Sequence, residues 1–145
     1  MSENDLQKTA RHEAGHVVAC WHFSGRIIGT TLGGEDALSG SVWGQYNTGT
    51  LVGQRQAMVG MAAGSAATGD ETEGDDAKRL EEAARRIVGM LATHAELAEE
   101  IAAAVAAARW LTDAYREEIE STARLLVQFH EHLAGMERRW NDAIL

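Results

Sequence analysis

The sequence has no proline and only one cysteine, Cys20. Without proline nothing of that kind interrupts a helix, and a lone thiol excludes an internal disulfide. Basic residues are in the minority, 13 against 22 acidic ones, giving a formal net charge of -9 and a pI near 5.1. That balance excludes the basic surface that binding nucleic acid or an anionic membrane requires. Long apolar runs are also missing. The longest, residues 101 to 108, falls far short of the ~20 residues that span a bilayer. The chain opens Met1-Ser2-Glu3-Asn4-Asp5 with no basic segment before an apolar one, so no secretory signal is read and the expected location is cytoplasmic.

What is present describes one domain, residues 1 to 145. Hydrophobic residues make up 45% of the chain, enough to bury a single core. Abundant alanine points to a mainly helical fold. Residues 5 to 23 carry Leu6, Ala10, Val17 and Trp21 at helical spacing. Residues 25 to 53 are rich in glycine and β-branched residues and predict two short strands, 26–32 and 41–46, joined by a connection too long for a tight turn. Residues 50 to 68 predict a helix of small residues suited to the centre of the core. A helix from Asp75 or Asp76 to Met90 carries a stripe of Leu80, Ala84, Ile87 and Leu91, with Glu81–Arg85 and Glu82–Arg86 pairs on its wet side. Thr93-His94-Ala95-Glu96 is a capping box. It opens helical periodicity that runs to Leu133, as one bent helix or two, with a stop expected at Gly135. The four tryptophans read as core or interface anchors, and Trp43 is the one on the ribbon.

The chemistry gathers at His12-Glu13-Ala14-Gly15-His16, an H-E-x-x-H pattern. On a helix it sets two imidazoles about 40° apart, one turn from each other, beside a carboxylate. That is an arrangement for holding zinc with an adjacent base. Gly15 weakens the helix, yet its missing side chain would let another segment pack close to the metal. A catalytic zinc takes three protein ligands and leaves one position open. His22 is a poor third ligand, because continued helix through Ala19 turns it about 100° away from the bisector of His12 and His16. The acidic stretch offers Asp70, Glu71, Glu73, Asp75 and Asp76, and spacing alone does not choose among them. His94 reads as part of a helix start, and His130 and His132 as surface or interface residues.

The sequence resembles the peptidase domain of the FtsH family of ATP-dependent zinc metalloproteases. The family's His-Glu-Ala-Gly-His stands at 12 to 16. Its Gly-Gly-Arg-Ala-Ala-Glu is echoed by Val59-Gly60-Met61-Ala62-Ala63-Gly64. Its Gly-x-x-Asn-Asp-Leu, with Ala-Arg-x-Met-Val eight residues past the Asp, matches Asp75-Asp76-Ala77 and Ala84-Arg85-Arg86-Ile87-Val88. The family's closing helix is echoed by residues 116 to 135. The resemblance implies a zincin-like, mainly helical fold with a small β-ribbon near the active site. It places the third zinc ligand on Asp76, beside His12 and His16, with Glu13 as general base. It implies hydrolysis of peptide bonds in flexible or unfolded polypeptides. It also raises a separate ATPase or unfoldase as a partner, since no Walker motif occurs in these residues, and it makes an oligomer possible. Gly64 stands where the family has Glu, and Met61 where it has Arg. Two other readings use the same residues: a zinc-binding partner or regulatory module, weak or silent as a peptidase, and a helical interaction module without metal.

Overall fold

A computed structural model describes residues 5–32, 40–89 and 93–144. Five helices and one two-stranded ribbon follow in the order α1 (Asp5–His22), β1 (Arg26–Leu32), β2 (Gly40–Gln45), α2 (Leu51–Thr68), α3 (Gly74–Val88), α4 (His94–Ala114) and α5 (Arg116–Ile144). The fold is therefore mainly helical, as the composition predicts, and no described helix is long and apolar enough to cross a membrane.

Helix α2 is the centre of the packing. It lies against α1 on one side and against α3 and α4 on the other, while α5 covers a further face of α1. Its buried positions are Gly53, Ala57, Met58, Val59, Gly60, Ala62, Ala63, Gly64 and Ser65, so its backbone approaches its neighbours closely. At Gly15 of α1 an added Cβ would stand 2.5 Å from the Ala63 carbonyl oxygen and 2.8 Å from Ala67 Cβ. The glycine inside the histidine motif is thus what lets α1 and α2 touch. Two clusters of buried side chains result. One joins α2, α3 and α4 through Met58, Leu80, Ala84, Leu97 and Leu111. The other joins α1 and α5 through Ala10, Ala14, Val18, Ile119 and Ala123. Side chains such as Leu80 and Leu111, each 2% exposed, contribute about 1.5–3 kcal/mol apiece by leaving water.

Local signals account for several boundaries. Thr50 caps α2, its hydroxyl accepting from Gly53 N–H at 3.0 Å. Thr93 caps α4 by accepting from Glu96 N–H at 3.2 Å. Glycine 69 ends α2 in the left-handed region at φ 74, which a side chain disfavours. The ribbon is antiparallel, pairing Arg26 with Gln45 and Leu32 with Gly40, with one register shift between Ile27 and Gly29.

The structure decides two open alternatives and corrects two expectations. The 94–133 periodicity is two helices, parted at Tyr115, whose φ of -110 and ψ of 30 lie in the bridge region between helix and strand. Gly135 does not stop the second, which continues to Ile144, and nothing lies within 4 Å of where its Cβ would be. Of the core and interface readings of the tryptophans, the core one does not hold for Trp21 and Trp110, which are 57% and 67% exposed. Glu81 and Arg85 pair at 2.7 Å, whereas no ion pair joins Glu82 to Arg86. Met90, Leu91 and the 33–39 connection lie outside the described residues, as do the side chains of Trp43, His132 and Trp140.

Candidate metal centre

His12 and His16 sit one turn apart on α1, on the face turned toward α2 and the first turn of α3. Gly74, at φ 64, begins α3 and sets Asp75 and Asp76 into its first turn, where the helix dipole favours a carboxylate. Asp76 Oδ2 lies 3.0 Å from His12 Nε2 and 3.1 Å from His16 Nε2, and the two Nε2 atoms are 3.2 Å apart. Two imidazole nitrogens and a carboxylate oxygen thus form a nearly equilateral triangle. Donors about 2.0–2.1 Å from one tetrahedral zinc would stand roughly 3.3 Å from each other. The donor set and its spacing fit that ion.

The hydrogen bonds fix the state of one donor. His16 Nδ1 lies 2.7 Å from the Gly60 carbonyl oxygen. A carbonyl only accepts, so Nδ1 carries the proton, and Nε2 of the neutral ring turns its lone pair toward His12 and Asp76. Lone pairs gathered this closely are held together by a shared proton or could be held by a metal ion. Burial lowers the pKa of His16, but the hydrogen bond and charge of Asp76, the charge of Glu13 and the Gly60 carbonyl outweigh it and leave the value raised. Asp76 answers in the opposite sense. Burial alone would raise its carboxyl, yet the bonds and charges of His12 and His16 hold it far below the ordinary carboxylate range.

Protons and a metal therefore compete for the same lone pairs. With the His16 pKa raised, zinc affinity should fall as pH drops through the histidine range, because each ion bound must displace a proton. Titration against a chelating dye at about pH 6 and about pH 8 should show tighter binding at the higher value.

Glu13 is 4% exposed and, with His12, His16 and Asp76, lines a cavity of about 550 Å3. Its pKa is raised, chiefly by burial and further by Asp76, against the lowering effect of His16 and His12. No protein donor hydrogen-bonds it among the described residues. Its oxygens are not sealed off, since Thr30 Oγ1 is the one side-chain atom among the described residues that is both enclosed and without a partner; they open onto the cavity, where a reacting molecule can meet them.

The remaining acidic candidates do not join the triangle. Asp70 is engaged by Lys8 at 3.3 Å and by the Thr68 hydroxyl at 2.7 Å, and Glu71, Glu73 and Asp75 are exposed on the cavity rim. His22 lies elsewhere, with Nδ1 3.1 Å from the Tyr115 hydroxyl. His94 begins α4, as its sequence context predicts. His130 is half-buried on α5.

Sequence reasoning did not find three features of this site. The first is the Gly60 carbonyl that orients His16. The second is Gly64, one helical turn further on: an added Cβ there would stand 2.5 Å from His16 Nε2 and 2.6 Å from His12 Nε2. The spacing of four between these glycines put both on one face of α2 and was the available signal. The third is a pair lining the same cavity, Cys20, one turn past His16, and Tyr46. Burial pushes the pKa of both groups up, so the thiol is held protonated.

No protein-family model, curated protein or solved structure matches the chain.

Proposed function

We propose that the protein is a zinc metallopeptidase of the FtsH type that hydrolyses peptide bonds in flexible or unfolded polypeptides. The observation that carries this reading is the convergence of His12, His16 and Asp76 on one point, with the Glu13 carboxylate opening onto the same cavity beside them. His12 Nε2, His16 Nε2 and Asp76 Oδ2 would hold the ion. A zinc ion there supplies Lewis-acid polarisation of a carbonyl and lowers the pKa of water.

The protein's own groups divide the remaining work. Glu13 accepts the proton of the attacking water and delivers it to the leaving amine, acting as base and then acid. Its raised pKa brings it nearer the range in which one group can serve both roles. Gly60 holds the His16 ring in place through its Nδ1 proton. Strand β2 pairs only with β1 among the described residues, and its alternate positions Val42 and Gly44, with Tyr46 just beyond, line the cavity. Residues two apart share a face of a strand, so this edge suits an extended peptide held by backbone pairing. A folded substrate does not present such a segment, which makes a separate ATPase or unfoldase a natural partner.

The test combines metal analysis with cleavage. Purified protein should contain one zinc per chain and cut an unstructured casein-like substrate. A chelator should stop the cutting and added zinc should restore it. Asp76→Ala should lose both metal and cleavage. Protein that takes up no zinc, or that binds zinc and leaves every unstructured substrate intact, would overturn the reading.

A further inference from the structure

The cavity that holds the metal triangle has two unlike ends. Ala57, Met61 and Ser65 stand four apart on α2 and all line it, so its floor runs along about 12 Å of that helix. The metal-facing positions Gly60 and Gly64 fall between those limits. At the Ala57 end stands the ribbon. Val42, Gly44 and Tyr46 line that wall, and a Cβ on Gly60 would overlap the Tyr46 hydroxyl. At the Ser65 end the Asp70 N–H donates to the Ser65 carbonyl at 2.9 Å, which brings the acidic turn between α2 and α3 to the cavity.

The charge on that turn is of one sign. Glu71, Glu73 and Asp75 are exposed, line the cavity and form no ion pair among the described residues. Arg79 is the one lysine or arginine in the lining. The two charges of a zinc ion would offset Asp76 and Glu13, and Lys8 already offsets Asp70. Three carboxylates then face a single guanidinium, so the excess stays negative with the metal bound. Exposed acids alone are ordinary surface, but here buried polar groups open beside them. Ser65 is 4% exposed, and its hydroxyl, without a hydrogen-bond partner among the described residues, is not enclosed but opens onto the cavity. Glu13 is as buried and opens onto the same space. Both are left to take a partner from the cavity.

We propose that the acidic rim selects polypeptide segments that carry lysine or arginine on one side of the cleaved bond. This rests on the peptidase reading above and names its substrate class. An extended chain advances about 3.3 Å per residue, so about four residues span the floor, with the metal near the middle. A basic residue close to the cut on one side reaches Glu71, Glu73 and Asp75. The other side of the cut lies against the uncharged ribbon. A glutamate at the rim meets like charge and is disfavoured.

The test uses the zinc-loaded full chain and three unstructured peptides that differ only in bearing lysine, serine or glutamate at fixed, well-spaced positions. At low salt the lysine peptide should exceed the glutamate peptide in kcat/KM by at least about tenfold, the lower end of what a cleft of one sign gains for an oppositely charged partner. The ratio should shrink at about 0.5 M salt, where such attraction is screened. Mass spectrometry should place the cuts on one fixed side of lysine. Glu71→Lys combined with Glu73→Lys should reverse the order of the lysine and glutamate peptides. That variant should still carry one zinc per chain, since neither residue belongs to the triangle. Three peptides cut at equal rates, or an order unmoved by the charge swap, would sink the proposal and leave the peptidase reading standing. Cuts scattered on both sides of lysine would also sink it. If none of the three is cut, the peptidase reading fails and takes this proposal with it.

Discussion

Glu13→Gln is expected to leave the zinc content unchanged and to lower peptide cleavage by about 10²–10⁴-fold, the range that a positioned general base contributes. The amide has nearly the shape of the carboxylate, and Glu13 is not one of the three converging donors, so the metal triangle keeps its geometry. What is lost is the only group at that position able to take a proton from water. A second result separates this role from a structural one. The pKa of Glu13 is raised in the folded chain above its ordinary value of 4.5. Its contribution to stability is therefore fully present below the unfolded-state pKa and is lost as pH rises through the higher folded one. At neutral pH the metal-free protein bears the cost of ionising this buried group. Metal-free Glu13→Gln should thus melt higher than metal-free wild type near neutral pH, and the difference should shrink in acid. A variant that is inactive and also less stable at neutral pH would mark Glu13 as a structural residue. One that cuts as fast as wild type would remove it from the mechanism.

The legible part of this site was legible because helical spacing is rigid. Once residues 5 to 22 form a helix, positions 12 and 16 must share a face, and His22 must leave it. The same rule hides everything that comes from another element. Five acids stood within reach of the site in the sequence, and spacing did not rank them. The structure separates them by their other commitments: Asp70 is held by Lys8 and Thr68, three point to solvent, and Asp76 alone meets both imidazoles. The family resemblance had also placed the ligand on Asp76.

The fold shows the same division. Caps at Thr50 and Thr93 are local chemistry; the one at Thr93 stands where the capping box placed it, and the one at Thr50 stands at the start of the helical pattern of residues 50 to 68. The break at Tyr115 is not local, since neither glycine nor proline marks it. Tyr115 packs against both buried clusters and meets His22 through its hydroxyl, so tertiary contacts set the bend that periodicity could not show. Gly135 misled in the opposite direction. Glycine often ends helices because it adopts a left-handed conformation, but it is also tolerated within one at a cost near 1 kcal/mol, and here it is simply passed through. Trp21 shares helical spacing with buried residues yet lies at the end of α1, where little covers it.

Gly64→Ala is expected to weaken zinc binding by at least about a hundredfold, the upper end of what is lost when support around metal ligands is removed. In the sequence Gly64 stands in place of the family's Glu, which reads as the loss of a functional side chain. The structure gives the position a steric meaning. A methyl group there would meet His16 Nε2 at 2.5 Å, His12 Nε2 at 2.6 Å and His12 Cδ2 at 2.9 Å, contacts that real Cβ atoms essentially never make. The imidazoles have little freedom to yield: His16 is tied to Gly60, and both rings meet Asp76. Nor can α2 readily bend away, because the Ala63 carbonyl already lies against Gly15. One methyl group must therefore move the metal-binding nitrogens or part α1 from α2, and either movement opens the triangle. Gly135→Ala is the matched control, since it adds the same methyl group in a helix where nothing lies within 4 Å. It should leave zinc affinity unchanged. Competition with a chromophoric chelator measures both variants, and Gly64→Ala binding zinc as tightly as wild type would show that the backbone of α2 does not confine the site.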